Sequence, residues 1–297
     1  MRVDICASRS AWKSAFVIVS LFGATSAFAD DGATEGGGAA DLAALLQDPL
    51  ATLSAVTTDS KVFFRSGKDN DEAYLVAIQP VYSLPFEEQG VILIPRLNIP
   101  IISLKPGLDL PRLGGDEELS ARDKSRESGL SDIGAQLFVS PHGRDVFGWK
   151  VGLGPQFSFN TRTDTDLKGA GYGMGPSVVV AGGVGDFSIA AILGHMWSFD
   201  KDFSTTTLQP MIYYNIAMFP GAYLFYNNSI AFDYKTKGGS GNRWTVPVGI
   251  GAGKTFDVGG GHGFDMGVGY YHQPSWGRPD CGPEHELQIA ATWIFPR

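Results

Sequence analysis

The chain has 297 residues, with 23 lysines and arginines against 31 aspartates and glutamates and a formal net charge of −8. It is 43% hydrophobic and its mean hydropathy is −0.01. An acidic chain without a basic patch does not neutralise phosphates, so we expect no nucleic-acid partner.

Residues 1–29 have the composition of a secretory signal peptide. Basic residues precede an apolar run at 15–24, and a small-x-small cleavage site follows at 27–29. The apolar run is too short for a membrane-spanning helix, which needs roughly 20 residues. We therefore expect export and cleavage near Ala29. Cys281 would then be the single cysteine of the mature chain, so no internal disulfide is expected.

Residues 30–50 predict a flexible N-terminal segment. Its first part is acidic and glycine-rich, and its second part has short helical spacing that Pro49 breaks. We expect this segment to lie in the periplasm or to tuck into the mouth of the domain that follows.

From about residue 73 one unit recurs: ten to fifteen residues of alternating polarity, then a turn or loop. In 149–160 (WKVGLGPQFSFN) the odd positions are apolar and the even positions are polar or glycine. Alternate residues of a strand point to opposite faces, and about ten tilted residues cross a bilayer. The pattern predicts an all-β fold, a transmembrane antiparallel up-and-down β-barrel, over residues 51–297.

The strand count follows from pattern and parity. Eleven strands are clear at about 73–86, 91–105, 130–142, 148–160, 171–182, 186–199, 204–219, 222–236, 242–257, 262–273 and 285–296. Bacterial single-chain barrels use even numbers of strands. The weak segment near 52–65 is therefore expected to supply the first strand, for about twelve. Connections that alternate between short and long agree with this assignment, because such barrels have short periplasmic turns and longer outward loops.

Tryptophans lie near the predicted strand ends, as expected of interfacial girdles. Trp149 and Trp293 fall near one end, and Trp197 and Trp244 near the other. The competing class is a water-soluble periplasmic β-protein, in which these rings would be core. The girdle favours the Gram-negative outer membrane, with the lipid bilayer and lipopolysaccharide as partners. An aromatic residue about two positions from the C-terminus suits recognition by the barrel-assembly machinery, which is the further expected partner.

The odd or even position of each residue along its strand, which we call its parity, also predicts which side chains line the lumen. They form a mixed polar set: Gln79, Arg96, Asn98, Gln136, Lys150, Gln156, Gln209, Asn215, Asn227, Arg243, Asp265, Glu286 and Gln288. In a pore they would set selectivity, with Arg96 and Lys150 as cations balanced by Asp265 and Glu286. The alternative is that they hydrogen-bond one another across a filled interior. About twelve strands lie between packed small barrels and open porins, so we expect a narrow or partly plugged passage.

The sequence does not favour an enzyme. Three of the five histidines fall at strand ends or in loops, and His195 and His272 share parity with lipid-facing neighbours. None has the paired spacing of a metal site, and we expect no metal, no cofactor and no catalytic residue. A lipid-modifying barrel enzyme with His195 or His272 as its base is the third hypothesis.

Several motifs resemble a known bacterial family. They are GLSDIGAQLFVSP (129–141), GWKVGLGPQFSFNTRTD (148–164), GMGPSVVV (173–180), MWSFDKD (196–202), LQPMIYYN (208–215), NRWTVPVGIGAGKTFDVGG (242–260) and the C-terminal GPEHELQIAATWIFPR. The family is named for the meta-cleavage pathway of phenol degradation. Its members are often labelled outer-membrane transporters, and some carry a neuromedin U label. The resemblance implies a barrel that transports small molecules, with no catalytic set to carry over.

Together these features predict an outer-membrane channel for passive passage of small molecules, aromatic or otherwise apolar. The alternative is a plugged structural or surface-binding barrel without transport, in which the loop 106–129 could fold over the mouth.

Overall fold

The computed structural model describes residues 38–66, 70–105, 108, 125–142, 148–167, 169–235, 243–279 and 282–295. The expected signal peptide (1–29), Cys281 and most of the loop 106–129 lie outside these residues. Among the described residues, no helix is both long and apolar enough to cross a membrane.

One helix precedes twelve barrel strands in the described part of the chain. The helix α1 spans Ala39–Gln47. The strands are β1 (Ser54–Ser66), β2 (Asp71–Val81 and Leu84–Phe86), β3 (Val91–Leu104), β4 (Glu127–Leu130 and Ile133–Pro141), β5 (Lys150–Phe159), β6 (Gly173–Val184), β7 (Phe187–Ser198), β8 (Ser204–Asn215), β9 (Ala222–Asn227 and Ile230–Asp233), β10 (Trp244–Thr245 and Val248–Gly259), β11 (His262–His272) and β12 (His285–Phe295). A single 3-10 turn, Ser275–Gly277, lies between β11 and β12.

Each strand pairs antiparallel with its sequence neighbours, and β1 pairs with β12 to close the barrel. That closing ladder runs from Ser54 opposite Phe295 to Phe64 opposite His285. Closure leaves no exposed sheet edge, so every backbone ladder is satisfied within the barrel. The prediction of a twelve-stranded antiparallel up-and-down barrel is confirmed.

The weak segment near 52–65 does supply the first strand. Its outward positions include Thr58 and Ser60, which blur the apolar alternation seen in the other strands. Its inward positions carry Asp59 and Lys61, whose partners lie on other strands. The ladders to β2 and β12 fix this strand where its own pattern is faint.

The two ends of the barrel differ in their connections. We call the end at which β1 begins the turn end; its turns include 87–90, 185–186 and 260–261. The opposite end, which we call the loop end, carries the longer connections 105–126, 160–172 and 273–284. The short connection 199–203 is an exception at the loop end.

The outer surface of the barrel is apolar. Leucine, valine and isoleucine side chains point away from the lumen and stay exposed, for example Leu153 (61%), Ile250 (61%) and Val268 (48%). Trp197 and Trp244 are exposed near the loop end, and Trp293 near the turn end. A continuous apolar belt of this kind is far larger than a soluble monomer exposes.

Candidate functional site

The segment that precedes β1 lies inside the barrel. We call residues 38–53 the plug segment. Helix α1 packs against β7, β10 and β11 at the turn end. Two glycines make room for it: a Cβ at Gly221 would lie 3.1 Å from the Ala39 Cβ, and one at Gly263 would lie 3.2 Å from Leu42 Cδ1. Residues 30–50 were expected in the periplasm or in the barrel mouth, and the described part, residues 38–50, lies in the mouth.

Polar contacts tie the end of α1 to the barrel wall. Gln47 and Asn215 exchange two hydrogen bonds, Nε2 to Oδ1 at 2.9 Å and Nδ2 to Oε1 at 3.1 Å. Asp48 Oδ2 accepts from Lys150 Nζ at 2.6 Å. Two of the predicted lumen-lining side chains, Lys150 and Asn215, therefore bind the plug segment.

An apolar anchor follows these polar contacts. Leu50 is 1% exposed, and Gly152 on β5 leaves the space for it, because a Cβ there would lie 2.8 Å from Leu50 Cδ2. Past the anchor, the Ser83 hydroxyl lies 2.8 Å from the Ala51 carbonyl and 3.0 Å from that of Leu53. Leu50 packs in a buried cluster with Ile92, Ile94, Phe138, Val179, Ala181, Ala190, Ile192 and Met211.

We expect Gly152→Val to dislodge the plug segment. The added side chain would overlap both Leu50 Cδ2 and Val179 Cγ1, each 2.8 Å from the new Cβ, and overpacking typically costs about 1–3 kcal/mol. Protease cleavage within the plug segment should become faster while the barrel stays folded. The double variant Leu50→Ala, Gly152→Val should regain part of the protection, because alanine removes the overlap at Leu50 while that with Val179 remains. Equal cleavage of the single variant and the wild type would contradict this role of Gly152.

Two cavities lie on either side of the plug segment. A central cavity of about 140 Å³ is bounded by the plug segment and the mid-barrel wall. A mouth pocket of about 260 Å³ opens between α1 and strands β5 to β7. Gln47 and Asp48 line both cavities. These two residues, held by Asn215 and Lys150, are therefore the partition between the mouth and the interior.

The buried acids of the lumen have partners within the barrel. Asp265 accepts hydrogen bonds from the Tyr223 hydroxyl, at 2.9 and 2.8 Å, and from Thr255 Oγ1 at 2.7 Å. Glu286 is paired with Lys61 at 2.6 Å and accepts from Asn228 Nδ2 at 2.8 Å. The sequence predicted that these acids would balance Arg96 and Lys150. In the structure Glu286 instead pairs with Lys61 on β1, and Asp265 is hydrogen-bonded by neutral hydroxyls of β9 and β10.

Arg96 stands apart from these pairs. The residue is half-buried, and its Nη1 atom is buried and makes no hydrogen bond among the described residues. Arg96 forms no ion pair with any of the buried acids described above. The side chain reaches the central cavity, where Tyr213, Tyr223 and Phe225 form an aromatic wall. Ring centroids within that wall are 5.5 to 6.1 Å apart.

Most predicted amides bond one another across adjacent strands. Three pairs do so: Gln79 with Asn98 at 3.2 Å, Gln136 with Gln156 at 3.4 Å, and Gln209 with Asn227 at 2.8 Å. Gln288 donates to Asp59 at 2.9 Å. Arg243 lies near the loop end with its Nε buried and without a hydrogen-bond partner among the described residues. The role of this set in selectivity stays a prediction.

An apolar cluster closes part of the loop end. It comprises Phe63, Ala73, Ile102, Leu104, Leu108 and Leu167. The connection 160–172 is held over it by Asp132, which binds the Arg162 guanidinium and accepts from the Gly171 amide at 2.6 Å. The interior therefore has three layers: the plug segment, a polar middle with the central cavity, and this cluster. Within the described part of the loop 106–129, Leu108 belongs to this cluster.

Lys61 and Asp59 were missed as lumen residues. Both fall on inward positions of β1, so parity would have identified them once that strand was accepted. Asn228 lies at the break between the two parts of β9, where alternation is interrupted and parity fails.

The side chains of His195, His272 and His285 contact neighbouring side chains. His195 on the outer surface contacts Thr206 Oγ1 at 2.7 Å and Ser204 Oγ at 3.2 Å, and its ring packs against Trp197 and Tyr234. Ser204 is 7% exposed. His272 packs beside His285. Among the described residues no group of three or more potential ligands could hold a metal ion.

Comparison with known proteins identifies the fold. No family model and no curated protein matches the sequence, so membership of the phenol meta-pathway family stays a prediction. Among solved structures, an outer-membrane channel from Pseudomonas putida F1 superposes with a TM-score of 0.55 at 11% identity, covering 84% of this chain and 98% of that one.

Two further solved structures superpose less closely. The KdgM porin gives a TM-score of 0.40 at 10% identity, over 81% of this chain and 99% of that one. Outer membrane phospholipase A from Escherichia coli gives 0.42 at 12% identity, over 87% and 98%.

Proposed function

We propose that the protein is an outer-membrane channel for passive passage of small molecules, with the plug segment restricting its turn end. The apolar outer belt with tryptophans near both ends supports residence in a bilayer. The similarity to an outer-membrane channel agrees with that location. On this proposal the turn end faces the periplasm, and the lipid bilayer is the principal partner.

Membrane residence makes a direct prediction for the outer surface. Val268 is 48% exposed in the middle of β11, so Val268→Arg should place a charge in hydrocarbon and cost about 2–4 kcal/mol of folding free energy in lipid vesicles. Val268→Leu is the matched control and should cost little. Equilibrium unfolding from vesicles measures both. Equal stability of the two variants would show that this surface does not face lipid.

The observation that carries the channel proposal is the pair of cavities separated by two side chains. Among the described residues, Gln47 and Asp48 are the two that line both the mouth pocket and the central cavity. A modest displacement of the plug segment would therefore join them into one passage. The neutral amide pairs along the middle can exchange partners with a polar or weakly polar solute.

Swelling of proteoliposomes tests the proposal. The wild type should admit small solutes slowly, and a variant lacking residues 38–50 should admit them much faster. A heat-modifiable gel shift shows that each barrel is folded. If both folded proteins exclude every small solute, the channel proposal is wrong.

A second candidate function is a plugged structural or surface-binding barrel. The packing at both ends of the interior favours it, because the apolar cluster blocks part of the loop end as the plug segment blocks the turn end. In that case removal of the plug segment alone would not raise permeability. We further propose that the protein is not an enzyme. His195, the histidine that lies near a serine (Ser204), packs on the outer surface against Trp197 and Tyr234.

A further inference from the structure

We propose that the central cavity is a binding site for a small monocarboxylate with an apolar body, held through Arg96. This inference rests on the proposed function for the route by which the solute enters, and it deepens that proposal by naming the solute class. Binding itself does not require transport, so the two can fail separately.

Arg96 supplies the charge that selects an anion. A buried guanidinium without a partner is costly, and bidentate pairing with a carboxylate is its preferred compensation. Nη1 has no hydrogen-bond acceptor among the described residues. The nearby acids are engaged elsewhere: Asp265 by Tyr223 and Thr255, and Asp48 by Lys150. Neither acid forms an ion pair with Arg96 among the described residues, so an incoming carboxylate could pair directly with the guanidinium.

The aromatic wall supplies the surface for the apolar body. Tyr213, Tyr223 and Phe225 line the cavity with their rings in mutual contact. Glycines opposite these rings let them lie close to the barrel wall: a Cβ at Gly253 would lie 2.5 Å from Tyr223 Cζ, and one at Gly251 would lie 2.3 Å from Phe225 Cζ. The rings therefore border the cavity without filling it.

The volume of the cavity and the polarity of its lining set the remaining limits on the solute. The cavity measures about 140 Å³, and cavities of roughly 150 Å³ hold a benzene-sized molecule. Amide groups of Gln79, Gln209 and Asn227 border the same space and can bond a second polar atom. A dianion is disfavoured, because Asp265 also faces the cavity and Arg96 is the single cation among the lining residues.

Binding to the full mature protein in detergent tests the proposal, with benzoate as the probe and benzyl alcohol as its neutral counterpart. Isothermal titration should show that the wild type prefers benzoate by about tenfold or more, the scale of one charge-assisted interaction. Arg96→Gln should lose that preference and bind the alcohol as before. Arg96→Lys should retain only part of it, because an ammonium cannot pair in bidentate fashion.

Controls separate this site from a general charge effect. Lys254→Gln removes a cation from the outer surface, where Lys254 lies over the Phe256 ring, and should leave benzoate binding unchanged. Tyr223→Leu should weaken the binding of both probes, because it removes one ring of the aromatic wall. Equal benzoate affinity in the wild type and Arg96→Gln, or no benzoate binding by the wild type, would overturn the proposal. Benzoate binding without any flux in liposomes would instead contradict only the channel function.

Discussion

Asp48→Lys should raise the conductance of the barrel several-fold. In the wild type the Asp48 carboxylate and the Lys150 ammonium lie 2.6 Å apart and, with the Gln47–Asn215 hydrogen bonds, hold the plug segment to the barrel wall. Because Lys150 is 45% exposed, the pair contributes at most about 1 kcal/mol, which corresponds to a change of several-fold in the population of the displaced segment. The substitution replaces attraction by repulsion at the partition between the two cavities, so the segment should leave the wall. Planar-bilayer recording of single channels measures the effect directly.

The charge-swapped double variant is the decisive control. Asp48→Lys combined with Lys150→Asp restores an ion pair of opposite polarity and should return the conductance toward the wild-type value. Asp48→Asn, which loses attraction without adding repulsion, should fall between the wild type and Asp48→Lys. A double variant as conductive as Asp48→Lys would show that the pair does not hold the plug segment.

Lys61→Met should destabilise the barrel by about 3–5 kcal/mol, the cost of leaving a buried charge without its partner. The Glu286 side chain is 2% exposed and depends on Lys61 at 2.6 Å for its countercharge. Only the Asn228 amide would remain to bond it. Equilibrium unfolding in urea from detergent or lipid vesicles gives the free energy.

Two comparisons sharpen this result. Lys105→Met breaks an ion pair of the same length with Asp71, but Lys105 is 47% exposed, so the loss should be at most about 1 kcal/mol. The double variant Lys61→Met, Glu286→Gln removes both charges and should recover most of the stability. If Lys61→Met and Lys105→Met cost the same, burial does not govern the Lys61 pair.

The fold follows from sequence because its main signal is local. Alternation with period two marks each strand and its outward face, as in Lys150–Phe159, and closure demands an even number of strands. Strand β1 was predicted from the even number of strands, because Thr58 and Ser60 weaken the apolar alternation of its outward face. Its ladders with β2 and β12 confirm it.

The interior is less predictable because its contacts are distant in sequence. The short amphipathic pattern of Ala39–Gln47 suits a helix in water as well as one inside a barrel. Asp48 and Lys150 are 102 positions apart, and nothing local indicates that they meet. Parity placed Glu286 on the inward face, but the stagger of neighbouring strands decides that Lys61 is its partner.

The ladder between β1 and β12 also bears on how the molecule is made. Ser54 faces Phe295, so this ladder joins the first and the last strand of the barrel. Pairing between segments so distant in sequence is intrinsically slow, so we expect this seam to form late. Helix α1 is tethered directly to that seam. The helix therefore enters the lumen either while the barrel closes or after it has closed. A folding intermediate in which β1 and β12 are not yet paired would expose the groove that Leu50 later occupies.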